Sequence, residues 1–205
     1  YDANGNRLTQ VETNGAAPET TGYTYDDLDR LATITYPDKK LAYGYDAVGN
    51  RRRETEKTLD DAVVSDKDAV FDALNRLETV TDLAKPEADP ARTVGFTWDS
   101  NGNQRTKTEN AVTTTYDYDV RDKLIEVGQG ASILVRYQYD AEGRLLKKIG
   151  EDGIRQYVYD ETSRLAEYDQ AGSRVARFSY GSDRLISMEH GNEGARFYHL
   201  DGLRS

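Results

Sequence analysis

Cysteine is absent from the 205-residue chain, which excludes a disulfide framework, a cysteine-ligated zinc site and a cysteine nucleophile. Proline is scarce, with 4 residues, whereas glycine is common, with 17, and this combination indicates many tight turns instead of disorder. No apolar run approaches the roughly 18 residues of a membrane-spanning helix, and no secretory signal peptide is recognisable. Hydrophobic residues make up only 37% of the sequence, which is low for a globular chain.

A basic excess is also missing, since the formal net charge is −10. This charge argues against a nucleic-acid backbone as the main partner, because phosphate contacts need a basic face. The aromatic residues are dominated by 15 tyrosines, and tyrosine, threonine and valine favour strands over helices. We therefore expect an all-β protein.

A phrase that starts with an aromatic residue recurs along the whole chain. It begins at Tyr1, Tyr25, Tyr45, Phe71, Trp98, Tyr118, Tyr139, Tyr159 and Tyr180, with a final weak copy at Tyr198. Aspartate follows the aromatic residue in the first eight copies. A sustained internal period predicts a repeat architecture. We interpret residues 1–205 as one array of about ten repeats of about 20 residues, without a domain boundary.

The copy that begins at Tyr139 shows the expected local structure. Residues 144–149 and 154–159 have typical strand length, and residues 150–153 between them have the glycine chemistry of a turn. Residues 160–163 form the next turn. Two strands and two turns per repeat predict a long meandering antiparallel sheet of stacked β-hairpins.

The residues that recur in the copies have predicted structural roles at the turn. The aspartate carboxylate can accept backbone N–H groups two residues further on, and a following glycine or asparagine can take the left-handed conformation. The arginine after the glycine can pair with the aspartate, an exposed ion pair worth about 0–1 kcal/mol. We assign these roles to Tyr25, Asp26, Tyr45, Asp46, Tyr118, Asp119, Tyr139, Asp140, Gly143, Arg144, Tyr159, Asp160 and Arg164.

Most copies carry two aromatic residues two positions apart, such as Tyr137 and Tyr139. Residues at i and i+2 of a strand lie on one face, so stacked hairpins would form an aromatic ladder. Each neighbouring pair would add about 0.2–1 kcal/mol. The ladder has two interpretations, structural packing or a surface that binds sugars.

Two stretches interrupt the regular spacing. Residues 54–67 are acidic, and residues 83–92 contain two prolines, which fit poorly inside a central strand. We predict that both are longer surface loops.

No catalytic or metal site is predicted. Residues 2–6 and 99–103 resemble the start of a calcium loop, but neither has glutamate at the twelfth position. The acidic cluster of residues 60–68 is interpreted as a solvated surface, and the two histidines, His190 and His199, have no cysteine partners. Hydrolase, phosphate-loop and metalloprotease motifs are missing from the sequence. We expect no enzyme activity, no cofactor and no metal.

The repeated phrase resembles the Rhs/YD repeat, with residues 130–145 and 153–165 as the best matches and V-R-Y-Q-Y-D-A-E-G-R-L at residues 135–145. The resemblance covers essentially all of residues 1–205. It implies a β-sheet shell, since YD repeats of this family spiral into a hollow cocoon around a C-terminal segment that is often a toxin or effector. The family includes bacterial polymorphic toxins, the C subunits of insecticidal Tc toxins, wall-associated proteins and animal teneurins.

Residues 197–205 are similar to a phrase near the close of many bacterial arrays, although Arg204 stands where the family usually has glycine. Downstream of that phrase, the family commonly carries an aspartate-dependent self-cleavage site and a variable toxin. We therefore expect this chain to be an excerpt of a longer, exported bacterial protein that is secreted or displayed on the cell surface.

Two functions follow as expectations. The first is a structural segment of a cocoon that encapsulates and protects a C-terminal toxin or effector. Its partners would be the rest of the shell, the enclosed segment and other subunits of a toxin or secretion machine. The alternative is an extracellular adhesion module whose aromatic rows bind a carbohydrate or a receptor. Neither includes nucleic acid or a membrane span.

Overall fold

The structure is a computed structural model that describes residues 1–13, 17–181, 184–191 and 194–197. Over these ranges the chain forms eighteen β-strands and no helix. The strands divide between two compact units. The first unit contains Tyr1–Trp98 and Thr106–Thr113, and the second contains Asp99–Arg105 and the chain from Thr114 onward.

The first unit is an antiparallel meander in which each strand from β1 to β8 pairs with the next strand in sequence. Its strands are β1 (Thr9–Glu12), β2 (Glu19–Tyr25), β3 (Leu31–Thr35), β4 (Lys40–Tyr45), β5 (Arg51–Lys57), β6 (Val63–Phe71), β7 (Leu77–Asp82) and β8 (Thr93–Trp98). The next strand, β9 (Gln104–Glu109), contributes its first two residues to the second unit and the others to the first.

The second unit repeats this arrangement, with each strand from β10 to β18 antiparallel to the next. Its strands are β10 (Val112–Tyr118), β11 (Leu124–Gln129), β12 (Ser132–Tyr139), β13 (Leu145–Gly150), β14 (Gly153–Asp160), β15 (Ser163–Tyr168), β16 (Arg174–Gly181), β17 (Arg184–His190) and β18 (Ala195–Phe197). The first two residues of β10 belong to the first unit. The prediction of an all-β, meandering antiparallel architecture built from short hairpins is confirmed.

The cross-strand register gives each unit two distinct faces. In the first unit Tyr23 lies opposite Ile34, and in the second Tyr137 lies opposite Lys148. Tyr25 and Tyr139, two positions further along the same strands, lie on the same sides of the sheets. In each unit we call this side the aromatic face. Ile34, Ala69 and Ala176 lie on it and are only 8%, 9% and 2% exposed. The little burial that the described residues achieve is therefore mostly on this face.

A β-bulge recurs just after the turn that follows each repeat's aromatic residue. In β3, for example, Thr24 pairs with Thr33 and Tyr25 pairs with Leu31, so that Ala32 is the extra residue. The same shift occurs in β5, β7, β11, β13, β15 and β17. Because a bulge increases local twist, this edge of each meander is twisted in a regular way.

The prediction of a surface loop over residues 54–67 is wrong. Most of this stretch belongs to the β5–β6 hairpin, whose turn is only residues 58–62. Its carboxylates tolerate a strand because basic residues face them: Lys67 Nζ lies 3.2 Å from Glu54 Oε1, and Arg53 Nε donates to Asp66 Oδ1 at 2.7 Å. Opposite charges across strands stabilise the pairing. The second predicted loop, residues 83–92, does connect β7 to β8.

Candidate functional site

The aspartate of the repeated phrase organises a tight turn, of which Asp46 is a good example. Its Oδ1 accepts the backbone N–H groups of Val48 at 3.0 Å and Asn50 at 2.8 Å, and its Oδ2 accepts the Asn50 side-chain amide at 2.9 Å. The Asp46 backbone N–H donates to the Asn50 carbonyl at 3.0 Å, and the Gly49 N–H donates to the Asp46 carbonyl at 3.2 Å. These bonds close a three-residue hairpin loop.

Seven such turns occur, within each unit all at the same end of the strands, and we call them the YD turns. They are residues 2–6, 26–30, 46–50 and 72–76 in the first unit, and residues 99–103, 119–123 and 140–144 in the second. The fourth residue of every YD turn has positive φ, from 58° at Asp29 to 98° at Gly49. Glycine, asparagine and aspartate all occupy this position, in keeping with their tolerance of the left-handed region.

The predicted site residues of the Asp140 turn meet closely. Arg144 Nε donates to Asp140 Oδ2 at 2.6 Å, and Gly143 takes φ 81°. Asp26 likewise pairs with Arg30, whose Nε lies 2.8 Å from Asp26 Oδ2. Asp119 has no such partner at the fifth position, because Lys123 stands there and contributes only its backbone N–H, at 3.0 Å.

Asp160 and Arg164 depart from the predicted turn. Asp160 ends β14 and pairs with Ser163 across a two-residue loop in which Glu161 takes φ 48°. Ser163 stands where other copies have glycine, asparagine or aspartate, so the longer loop would force serine into the left-handed region. Arg164 Nη1 instead lies 3.0 Å from Glu167 Oε1.

The motif aromatic residue links five of the repeats to the one before. Tyr45 Oη donates to the Leu31 carbonyl at 2.9 Å, and Tyr139 Oη donates to the Leu124 carbonyl at 2.9 Å. In each case the acceptor is the fifth residue after the preceding repeat's aspartate. The same relation holds for Tyr25 with Arg7, Trp98 with Leu77 and Tyr159 with Leu145. Tyr118 is half-buried, and burial raises the pKa of its hydroxyl.

Neighbouring YD turns are also joined directly, and their side chains alternate. Asn6 Nδ2 donates to Asp29 Oδ1 at 2.8 Å, and Asn103 Nδ2 donates to Asp122 Oδ1 at 2.7 Å. The fourth and fifth turn residues run Gly5-Asn6, Asp29-Arg30, Gly49-Asn50, Asn75-Arg76, Gly102-Asn103 and Asp122-Lys123. An asparagine that ends one turn therefore meets an amide or carboxylate acceptor at the left-handed position of the next.

Sequence reasoning missed this alternation and one further turn. Asp169 forms the same hydrogen bonds to Ser173 and Gly172, but at the opposite edge of the meander, between β15 and β16. The signal was visible as Tyr168-Asp169 with Gly172 at the fourth position, 9 residues after Tyr159-Asp160. The residue types of a turn therefore do not show at which end of the strands the turn lies.

The aspartate carboxyls of the seven YD turns all have lowered pKa values. The main cause is the Asn50 side-chain hydrogen bond for Asp46 and the Arg30 backbone N–H for Asp26, whereas at Asp140 burial opposes the shift but the Arg144 hydrogen bonds outweigh it. Hydrogen bonds to the charged form favour it.

We expect this shift to make the fold acid-sensitive. Because the folded-state pKa values lie below the ordinary value of 3.8, the carboxylates contribute their full stabilisation above that pH and lose it as the pH falls through the lower values. The melting temperature should therefore fall as the pH drops below about 4. Asp46→Asn, which keeps one acceptor oxygen without the charge, should weaken that dependence. An unchanged melting temperature down to about pH 2 would contradict the role of the turn carboxylates.

The hydroxyl of Tyr139 gives a second test. Tyr139→Phe removes the donor to the Leu124 carbonyl and keeps the ring, so we expect a loss of about 0.5–1.5 kcal/mol in the free energy of unfolding by urea. Tyr137→Phe is the matched control, since its hydroxyl has no hydrogen-bond partner among the described residues. Equal losses in the two variants would show that the hydroxyl bond does not link the repeats.

No described cluster of three histidine or carboxylate side chains is arranged to hold a metal ion. The described part of the chain also has no helix long and apolar enough to cross a membrane. His190 is exposed in β17, whereas His199 and the closing phrase from Tyr198 onward lie outside the described residues. The candidate functional features of the described residues are therefore the YD turns and the aromatic face.

Comparison with known proteins agrees with this geometry. The model of the teneurin YD-shell family matches residues 1–201. The tRNA3(Ser)-specific nuclease WapA of Bacillus spizizenii is 29% identical over 159 residues, which cover 76% of this chain and 6% of that protein.

Two solved structures share the fold at low sequence identity. The crystal structure of TcdB2-TccC3-Cdc42 gives a TM-score of 0.61 at 13% identity over 82% of this chain and 10% of the other, and that of TcdB2-TccC3-TEV gives 0.56 at 15% identity over 100% and 13%. This chain thus spans only 6% to 13% of the length of these relatives. The resemblance to YD repeats is confirmed, and the chain belongs to the teneurin YD-shell family.

Proposed function

We propose that residues 1–205 form one array that serves as a wall segment of a β-shell, and that the shell encloses and protects a C-terminal toxin or effector of the same polypeptide. The observation that carries this proposal is the link between successive repeats. Aromatic side chains and turn side chains tie several repeats to a neighbouring repeat, as in Tyr45 to Leu31 and Asn103 to Asp122. Such links extend a sheet without an additional core, which is what a thin wall requires.

The relatives give this wall its proposed context. One relative is named as a nuclease, and the structural neighbours are complexes that contain TccC3. We propose by analogy that the parent protein is exported from a bacterium and that other subunits of a toxin or secretion machine bind its shell. In this role the segment acts by containment and carries out no catalysis.

The test uses the parent polypeptide with an epitope tag on its C-terminal effector. Containment predicts that the tag resists proteinase K in the folded protein and is lost after denaturation. The effector expressed without the repeats is the control and should be digested at once. Equal digestion rates for the effector with and without the repeats would contradict containment.

The alternative of an adhesion module has weaker structural support. A glycan-binding row needs open aromatic faces, but all described tyrosines except Tyr1 are at least half-buried or partly covered within the sheet. Arginines cover some of the rings, with Arg30 Cζ 4.5 Å from the Tyr45 ring centre and Arg164 Cζ 4.7 Å from that of Tyr157. These cation–π contacts occupy the surfaces that a sugar would use.

A further inference from the structure

The aromatic face of the second unit has an unusual charge for this acidic chain. The cross-strand register places four cationic residues on it and, among the described strand residues, a single carboxylate. The cations are Lys148, Arg155, Arg164 and Arg196, and the carboxylate is Glu167. The chain as a whole has a net charge of −10, so this face is a local reversal of sign.

The aromatic face of the first unit shows the opposite balance. Its strands β1 to β8 place five carboxylates there, Glu12, Glu19, Glu54, Glu56 and Asp82, against two cations, Arg51 and Lys67. The basic character therefore belongs to the second unit and is not a general property of the repeat.

Lys148 and Arg155 are the free charges of this surface. They lie opposite each other in the β13–β14 register, in line with Tyr137 on β12. Neither forms an ion pair with any described residue. Arg164, in contrast, is held by Glu167 at 3.0 Å and lies over the rings of Tyr157 and Phe178.

Arg155 also has an unsatisfied donor. Its Nη1 is enclosed by the protein but has no hydrogen-bond partner among the described residues. An enclosed donor without a partner costs about 1–3 kcal/mol, so no described residue of the chain satisfies this guanidinium group fully. Gly150 and Gly153 follow and precede the two cations on the same face, so the adjacent positions along β13 and β14 carry no side chain.

We infer that Lys148 and Arg155, with Tyr137 and Tyr157 beside them, dock an acidic segment of polypeptide. The charges fit carboxylates, and guanidinium groups bind carboxylates through paired N–H donors. A nucleic acid fits less well, because binding to its backbone depends on several cationic contacts to phosphates and the rest of this chain is acidic. The inference rests on the proposed function, in which the enclosed effector is the polypeptide nearest the wall, and it places this face toward the cavity.

The experiment measures the fluorescence anisotropy of a labelled octaglutamate peptide with the 205-residue chain. We expect salt-sensitive binding and no binding of an octaglutamine peptide. Lys148→Gln with Arg155→Gln should weaken binding about tenfold, since two ion pairs of this kind together contribute about that factor.

The matched control changes the same net charge on the opposite face, with Lys147→Gln and Arg177→Gln, and should keep affinity within about twofold. The variant with Lys148→Arg and Arg155→Lys keeps both charges and should retain binding, which separates charge loss from misfolding. Absence of binding by the unmodified chain, or equal losses in the two charge-removing variants, would overturn the inference. The protease experiment is independent, so containment can hold when the peptide does not bind.

Discussion

Replacement of Trp98 by alanine should produce one of the largest losses of stability in the first unit. The indole Nε1–H donates to the Leu77 carbonyl at 2.8 Å, and its ring lies 6.0 Å from Arg76 Cζ. Loss of a large, half-buried ring together with this bond should cost about 2–4 kcal/mol of the free energy of unfolding. Circular dichroism in urea is the suitable measurement, because Trp98 is the only tryptophan and the variant has no tryptophan fluorescence.

Trp98→Phe is the control that separates the ring from the hydrogen bond. It keeps most of the apolar surface and should cost about 1 kcal/mol. Phe71 already occupies the equivalent position of the preceding repeat, so a phenyl ring is compatible with the sheet there. If the alanine and phenylalanine variants are equally stable, the ring does not hold the hairpins together.

Gly102→Val should have the second large effect, through the backbone of a YD turn. Gly102 has φ 90°, and no atom outside its chain neighbours lies within 4 Å of the position of an added Cβ. A steric clash with the surroundings is therefore absent, and the cost comes from forcing a β-branched residue into the left-handed region. We expect a loss of about 1–2 kcal/mol, measured as the shift of the urea unfolding midpoint.

Gly102→Asn is the matched variant at the same position. Asn75, Asp29 and Asp122 adopt φ near 59° at the equivalent place in their turns, so asparagine should cost less than about 1 kcal/mol. The order glycine, asparagine, valine in decreasing stability is the expected result. Valine at no greater cost than asparagine would contradict the conformational role of the fourth turn residue.

Several features could be predicted from single residues because their causes are local. Aspartate followed three residues later by glycine or asparagine marks a turn, since hydrogen bonding and backbone preference act within five residues. The strand and turn boundaries around Tyr139 were accordingly predicted to within a residue or two. The exception, Asp160, arises because serine replaces the left-handed residue and the loop shortens.

The features that were missed depend on register between strands. The acidic stretch 54–67 forms a hairpin because Lys67 and Arg53 face its carboxylates, and composition alone does not show which residues will be opposite. The bond from Tyr139 to the Leu124 carbonyl joins β12 to the start of β11, so it depends on which residues the strand pairing brings together. The alternation of Asn103 with Asp122 becomes visible only when adjacent turns are compared.

These hydrogen bonds and ion pairs between strands and turns also join hairpins that are weak by themselves into one sheet. A short two-stranded hairpin is marginally stable by itself, and the described residues bury very little apolar surface. Stability must then come from each repeat pairing with its neighbours, as in other repeat proteins. Such a segment fits the proposed shell wall, in which one face of the sheet borders the cavity and the other borders solvent.

The most direct test of this account is a cryo-electron microscopy structure of the full-length parent polypeptide. We expect residues 1–205 to form a continuous wall, with density for the C-terminal effector on one side of it and the Lys148 and Arg155 face directed toward that density. A parent in which these strands surround no separate density, or in which the effector lies outside the repeats, would contradict the proposed containment.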